Sequence, residues 1–215
     1  MLLIADTGRL EADLGTGRVV CRCGAQLRRW GFAAARRVRM LSAPSVTVRP
    51  RRVRCTRCRA THVLLPAWCL PRHADAAEVI GAALIAKAAG HGHKRIAAQL
   101  GRPTPTVRGW LRRTRGPHCA WLYRQAVTAA GRLDPDVLNH TEPAGSALGD
   151  ALTALAAAVT AWRHRFGASV PSWTLAVMFT GGCLLAPPRI DQQVASAGRV
   201  CPQQTSSTRT SIASP

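Results

Sequence analysis

The chain has 215 residues and a formal net charge of +20. Arginine supplies nearly all of the positive charge, because Lys87 and Lys94 are its only lysines, and only ten carboxylates oppose it. A length of this order suits one or two small domains. The imbalance favours an anionic partner with salt-sensitive affinity. No apolar run reaches the ~18 residues of a membrane span. Met1-Leu-Leu-Ile is too short for a secretory signal and has no basic residues before it. A cytoplasmic, nucleoid-associated protein with no membrane partner is therefore expected. In a reducing compartment its eight cysteines are metal ligands or free thiols rather than disulfides.

The placement of charge says more than its total, since abundant Ala, Gly and Pro suggest that part of the arginine excess is compositional. From Gly15 to Ala74 there are fourteen arginines and no Asp or Glu. Residues 1–19 read as a lead-in that Gly8, Gly15 and Gly17 interrupt, with a short strand around Arg18 to Val20. Residues 20–70 carry Cys21-Arg-Cys23-Gly24 and Cys55-Thr-Arg-Cys58. Between them lie β-like segments, Arg37 to Leu41 and Ser45 to Arg49, joined by a turn at Ser42-Ala-Pro44. Cysteine pairs separated by a β-rich spacer form the pattern of a zinc ribbon, in which four thiolates meet at ~2.3 Å from one Zn²⁺. Cys21, Cys23, Cys55 and Cys58 are the candidate ligands. The first pair is C-x-C where a zinc knuckle has C-x-x-C, so Cys21 is the weakest of the four and His62 and Cys69 are alternatives to it. Arg28, Arg29, Arg36, Arg37, Arg39, Arg49, Arg51, Arg52 and Arg54 give this module a basic face suited to tracking phosphates, and Trp30 is expected to pack the ribbon. The run 61–74 reads as a linker that packs the ribbon on the next module through Trp68 and Leu70.

Residues 71–116 have the pattern of a helix-turn-helix. Asp75 and Glu78 form a capping-box arrangement for a first helix with Val79, Ile80, Ala83 and Leu84 at helical spacing, and Gly90 stops it. A second short helix holds Ile96, Ala97 and Leu100 and ends at Gly101. After Arg102-Pro103, Thr104 is placed to cap a third helix with Pro105 at its first position. Val107, Trp110 and Leu111 give that helix a buried face. Its leading edge, Thr104, Thr106 and Arg108, is where a recognition helix reads base edges. Arg112, Arg113 and Arg115, with Lys94 and Arg95 on the second helix, suit phosphates. Double-stranded DNA is the expected partner.

Residues 117–186 are alanine-rich and helical. Helices are expected over Trp121 to Arg132, Ser146 to Phe166 and Ser172 to Thr180, the last two capped by their serines, with a loop from Asp134 to Gly145. Leu148, Leu152, Leu155, Val159, Trp162 and Phe166 form a stripe at helical spacing. His140 and His164 have no metal-like partners. Residues 187–215 are rich in Ser, Thr, Gln and Pro and are expected to be disordered. The fold class is thus mainly α with a small β zinc ribbon.

Cys23-Gly24, Trp30-Gly31, the run Arg51 to Cys58, Thr61 to Pro66, and Ile96-Ala-x-x-Leu100-Gly-Arg-Pro103-x-x-Thr106-Val-Arg-x-Trp110-Leu111 together resemble actinobacterial helix-turn-helix proteins associated with insertion sequences. The layout is similar to the N-terminal portion of zinc-ribbon transposases. Trp173 to Pro187 also looks like that family's C-terminal helix with its Thr-Gly-Gly ending. The resemblance implies a DNA-binding protein of a mobile element, recognising terminal repeats or acting with a separate transposase; a second copy of the chain is a further expected partner, for the apolar stripe of residues 148–166. Catalysis is not expected. Asp134, Asp136, Glu142, Asp150 and Asp191 are the carboxylates available after Arg115, and none falls on a strand where a two-metal triad would need it.

Overall fold

The computed structural model describes residues 1–167 and 170–186. The first nineteen residues contribute a strand, β1 (Leu2–Ile4), and a short helix, α1 (Leu10–Gly15). Around Arg18 to Val20 only an isolated bridge from Val20 to Gln26 forms. Four more strands come next: β2 (Leu27–Phe32), β3 (Arg36–Val38), β4 (Val46–Val48) and β5 (Arg51–Cys55). The segment read as a linker is instead a sixth strand, β6 (Thr61–Pro66). It lies inside the sheet because alternate residues serve two faces. Leu64 points to one hydrophobic cluster and Leu65 to another.

The sheet has the order β1-β6-β5-β2, with β1 and β6 parallel and the other neighbours antiparallel. β3 and β4 pair separately as the expected hairpin. The architecture is therefore mixed α/β, and the β portion is larger than a minimal ribbon. On one face of the sheet Leu2, Leu27, Val53, Cys55 and Leu64 close a small core with Leu14 of α1. The other face at the β1–β6 end, Leu3 and Leu65, packs into the main helical core.

That core is built around α2 (Ala77–Ala88), whose Ala77, Val79, Ile80, Gly81, Ala83 and Leu84 are all buried. It packs against α3 (His93–Leu100), α4 (Thr104–Arg113), α6 (Ala147–Phe166) and α7 (Ser172–Phe179). Gly81 is required here, since a Cβ would lie 2.0 Å from the Trp173 ring. Between α4 and α6 runs α5 (Pro117–Leu133), longer at its start than the expected Trp121 because Pro117 is accommodated in the first turn. The loop after it contains one 3₁₀ turn, Val137–His140.

Helix starts obey backbone geometry more than the expected side-chain caps. Ser146 does cap α6, accepting the Gly149 amide at 3.1 Å. Ser172 and Thr104 do not cap. Each is already the first helical residue, behind Pro171 and Pro103, whose fixed φ presets the entry. Asp75 does not cap α2 either; Ala76 holds that position, and both members of the expected box are used elsewhere. Glu78 accepts the Leu41 amide at 2.9 Å, and Asp75 is engaged by Arg39 and Arg102. The α6 stripe is only partly inward. Leu155 and Val159 are buried, but Ala151, Ala154, Ala158 and Ala161 are the helix's closest-packed face, and Phe166 is exposed. His140 and His164 are exposed as expected. The disorder expected for residues 187–215 lies outside the described residues.

Candidate metal centre and basic helix face

Two tight turns bring the cysteine pairs together. In the first, the Cys21 amide donates to the Ala25 carbonyl (2.8 Å) and the Gly24 amide to the Cys21 carbonyl (2.8 Å). In the second, the Cys55 amide donates to the Ala60 carbonyl at 2.9 Å. The first turn closes over one residue fewer, which is how a C-x-C pair reaches the position a C-x-x-C pair would hold. Each turn leaves its last cysteine through a left-handed residue, Gly24 at φ +85° and Arg59 at φ +61°. The two turns are laced together. The Thr56 amide donates to the Gln26 carbonyl (3.1 Å), and the Arg57 guanidinium to the Cys23 carbonyl (2.7 Å).

The four sulfurs of Cys21, Cys23, Cys55 and Cys58 all lie within 4.8 Å of one another. The Cys23–Cys55 and Cys21–Cys58 separations are 3.4 and 3.6 Å. Thiolates arranged tetrahedrally at ~2.3 Å around one ion would stand about 3.8 Å apart, so the donor set fits a single thiophilic cation. The amides of Arg57 and Cys58 both point at the Cys55 sulfur at 3.4 Å, the hydrogen bonding that stabilises a ligating thiolate. The protons are unevenly held. An amide hydrogen bond from Ala25 and the neighbouring Cys55 pull the Cys23 thiol down to about 6. At Cys55 burial opposes ionisation, but the Cys58 and Arg57 amides outweigh it and the net shift is downward. The Ala60 amide favours a Cys58 thiolate, yet Cys55 and Cys21 beside it push that thiol up to about 11. The cluster can thus shed some protons unaided, but the last ones need a cation to neutralise the accumulating charge.

Cys21, doubtful from the spacing alone, is in the cluster and almost fully buried. Cys69 is not. It is buried in the main core, where burial raises its thiol to about 12. His62 lies alongside, with Nε2 3.3 Å from the Cys21 sulfur. Burial, the chain's amino terminus and Arg22 all lower its pKa, so a neutral imidazole, with one N–H and one lone pair, stands beside the cluster.

Farther along, the α3–α4 turn presents the other candidates. Gly101 at φ +59° ends α3, and Pro103 starts α4. Ile96, Ala97, Val107, Trp110 and Leu111 are buried against α2, which turns the rest of both helices outward. Lys94, Arg95, Arg108, Arg112, Arg113 and Arg115 are exposed, and Thr104 and Thr106 are half-buried. None of these six cations is paired with a carboxylate among the described residues. At the leading edge of α4, Pro105 and Arg108 are exposed, while Thr104 and Thr106 keep only part of their surface open to solvent.

The basic ribbon is less uniform than its sequence. Arg29 and Arg51 pair with Glu11 of α1 (2.8 and 3.1 Å). Arg36 donates to the carbonyls of Leu70 and His73. Arg39 and Arg102 converge on the buried Asp75, with distances of 2.5 Å to Oδ2 and 2.6 Å to Oδ1. Arg102 also donates to the Met40 carbonyl (2.9 Å) and the Leu100 carbonyl (3.0 Å). This knot ties the β3 segment to the α3–α4 turn. Sequence reasoning missed it, although one signal was present: Asp75 is the first carboxylate after Asp13 in a run crowded with arginines.

Sheet, cluster and helices define a mixed α/β protein with a four-cysteine cluster, able to hold a metal ion, at one end of its sheet. Residues 21–110 match a family described as a domain of unknown function (DUF6431). The match begins at the first cysteine of the cluster and ends at the buried tryptophan of α4. Neither the curated proteins nor the solved structures provide a match. No helix among the described residues is long and apolar enough to cross a membrane.

Proposed function

We propose that the chain binds double-stranded DNA through a helix-turn-helix made of α2, α3 and α4, with zinc in the four-cysteine centre, as a transposition-associated or regulatory protein without a catalytic domain of its own. The observation that carries this is the open, uncompensated face of α4 and α3. Thr104, Thr106 and Arg108 lie at the start of α4, where side chains reach base edges in the major groove. Arg112, Arg113 and Arg115, with Lys94 and Arg95, flank them as phosphate contacts. Four thiolates suit Zn²⁺, which would stiffen the sheet behind this unit without taking part in chemistry. Two of the available carboxylates do structural work, which supports the non-catalytic reading. Asp150 accepts the Ala144 amide at 2.8 Å and Asp134 the Asp136 amide at 3.0 Å.

A gel shift with a randomised duplex pool, selected and then titrated against salt, tests the proposal. If all six cations met phosphates the slope of log K against log salt would be roughly −5. Arg112→Glu is expected to weaken all duplexes alike, and Arg108→Glu to abolish discrimination among selected sequences. Duplex affinity unchanged in both variants would end this reading in favour of a protein-interaction module.

A further inference from the structure

The sheet has a second unsatisfied surface, built from none of the α4 residues. Alternation along β2 and β5 puts Arg28, Trp30, Arg52 and Arg54 on one face, with Arg28 directly opposite Arg54. The reverse face is covered by α1, and its arginines, Arg29 and Arg51, are matched by Glu11. On the outer face no carboxylate pairs with Arg28, Arg52 or Arg54 among the described residues. Trp30 keeps 54% of its surface exposed, against the expectation that it packs the ribbon. The Arg54 guanidinium lies 4.7 Å from the centre of its ring and is itself held by the Arg59 carbonyl at 3.3 Å. A bulge at Gly31, φ +94°, shifts the register so that Phe32 falls opposite Arg51. The two aromatics are thereby separated, and Trp30 stands alone among cations.

We propose that this face is a second nucleic-acid site, one that takes unpaired bases of a single strand rather than duplex. The surrounding guanidiniums complement a phosphate backbone. The ring itself can gain only from a base whose face is uncovered, and in a duplex each base face is already stacked on its neighbour. The occupant is thus a single-stranded DNA segment with Trp30 as its stacking platform and Arg28, Arg52 and Arg54 along its backbone. The site uses none of the α4 residues and does not depend on the duplex reading. A chain with both sites could hold a duplex and a neighbouring melted strand together.

Of the six tryptophans Trp30 alone is exposed, so its fluorescence reports on the site. The test titrates the full metal-loaded chain with an oligo(dT) and with a duplex of equal length, recording quenching and anisotropy. Oligo(dT) is expected to quench strongly. Trp30→Ala should weaken oligo(dT) roughly 5- to 150-fold, the range for loss of one stacked base, while Trp30→Phe loses much less and duplex affinity holds. Arg108→Glu should leave oligo(dT) binding intact, which separates this site from the α4 proposal. Absence of quenching in the parent chain at saturation would overturn the inference without any variant. So would a Trp30→Ala chain that binds oligo(dT) like its parent, or one that loses oligo(dT) and duplex in equal proportion.

Discussion

The Asp75 knot makes a quantitative claim about how the sheet and the helices are held. Asp75 is 2% exposed and accepts from two guanidiniums, of which Arg102 is mostly buried while Arg39 is more than one-third exposed. Asp75→Asn keeps the shape, removes the charge and turns an amide N–H toward one of the arginines. Hydrogen bonds to charged groups contribute about 1.5–3 kcal/mol each. The Arg39 bond is discounted because water screens it, and the buried Arg102 bond counts in full. The remaining guanidinium is left without its anion, a change for which buried pairs lose about 3–5 kcal/mol. A loss of about 3 kcal/mol is therefore expected, against a total of about 5–15 kcal/mol for a domain. For a chain of this size that corresponds to a fall in Tm of roughly 6–12 °C. Thermal unfolding monitored by circular dichroism measures it, and a double-mutant cycle with Arg102→Leu isolates the coupling. Because Arg102 also grips Met40 and Leu100, duplex affinity should fall with stability even though Asp75 touches no DNA surface. A Tm within about 2 °C of the parent, or strict additivity in the cycle, would refute the claim that this carboxylate organises the turn before α4.

Other substitutions separate local propensity from packing. Gly81→Ala should destabilise by about 1–3 kcal/mol through its clash with Trp173, although alanine is the better helix former by about 1 kcal/mol; urea midpoints decide the sign, and shrinking the ring with Trp173→Leu should restore stability. Arg59→Gly should raise the urea midpoint slightly, because Arg59 occupies a left-handed conformation that costs an L-residue about 1–2 kcal/mol, and a lowered midpoint would contradict it. After metal stripping, brief iodoacetamide treatment at pH 8 should label Cys23, released near the surface, long before Cys69, which stays in the main core with its thiol raised to about 12; mass mapping that finds Cys69 first would place that thiol wrongly.

Residue patterns with a strict chemical or geometric demand were legible in the sequence. The cysteine pairs, the β3–β4 hairpin and the apolar faces of α2 to α4 each arise from short-range spacing. β6 was not legible, because a strand buried on both faces, Val63-Leu-Leu-Pro66, reads as a continuous apolar run with no alternation. The parallel pairing of β1 with β6 joins residues about sixty positions apart, which local patterns cannot announce. Asp75 and Glu78 had the spacing of a capping box, but a buried arginine and an orphaned amide from the hairpin hold their oxygens in place of the helix end. Trp30 was misread for a related reason. An aromatic in a small β module usually packs, but the pairing of Leu27 with Cys55 fixes which face of β2 is inward, and Trp30, three residues on, falls on the other.

The metal and the helices are separable in energy, and removing the metal should show it. The small core beside the cluster contains six buried residues, of which Cys21 and Cys55 are themselves candidate ligands. With so few apolar side chains, the turns at Cys21–Gly24 and Cys55–Ala60 would depend on a bound cation for their order. The main core is several times larger and holds β1 and β6 from the other side through Leu3 and Leu65. A competing chelator should therefore release one metal ion per chain and leave most of the helical signal at 222 nm. Hydrogen exchange should lose protection at the amides of Cys21, Gly24, Cys55 and Cys58 while those of α2 keep theirs. Oligo(dT) affinity should fall with the metal, since Arg54 is oriented by the carbonyl of Arg59 in the second cysteine turn. Duplex binding by α4 should weaken far less. Simultaneous loss of sheet and helices in one transition would mean that the two cores fold as one unit, with no division of labour between sheet and helix.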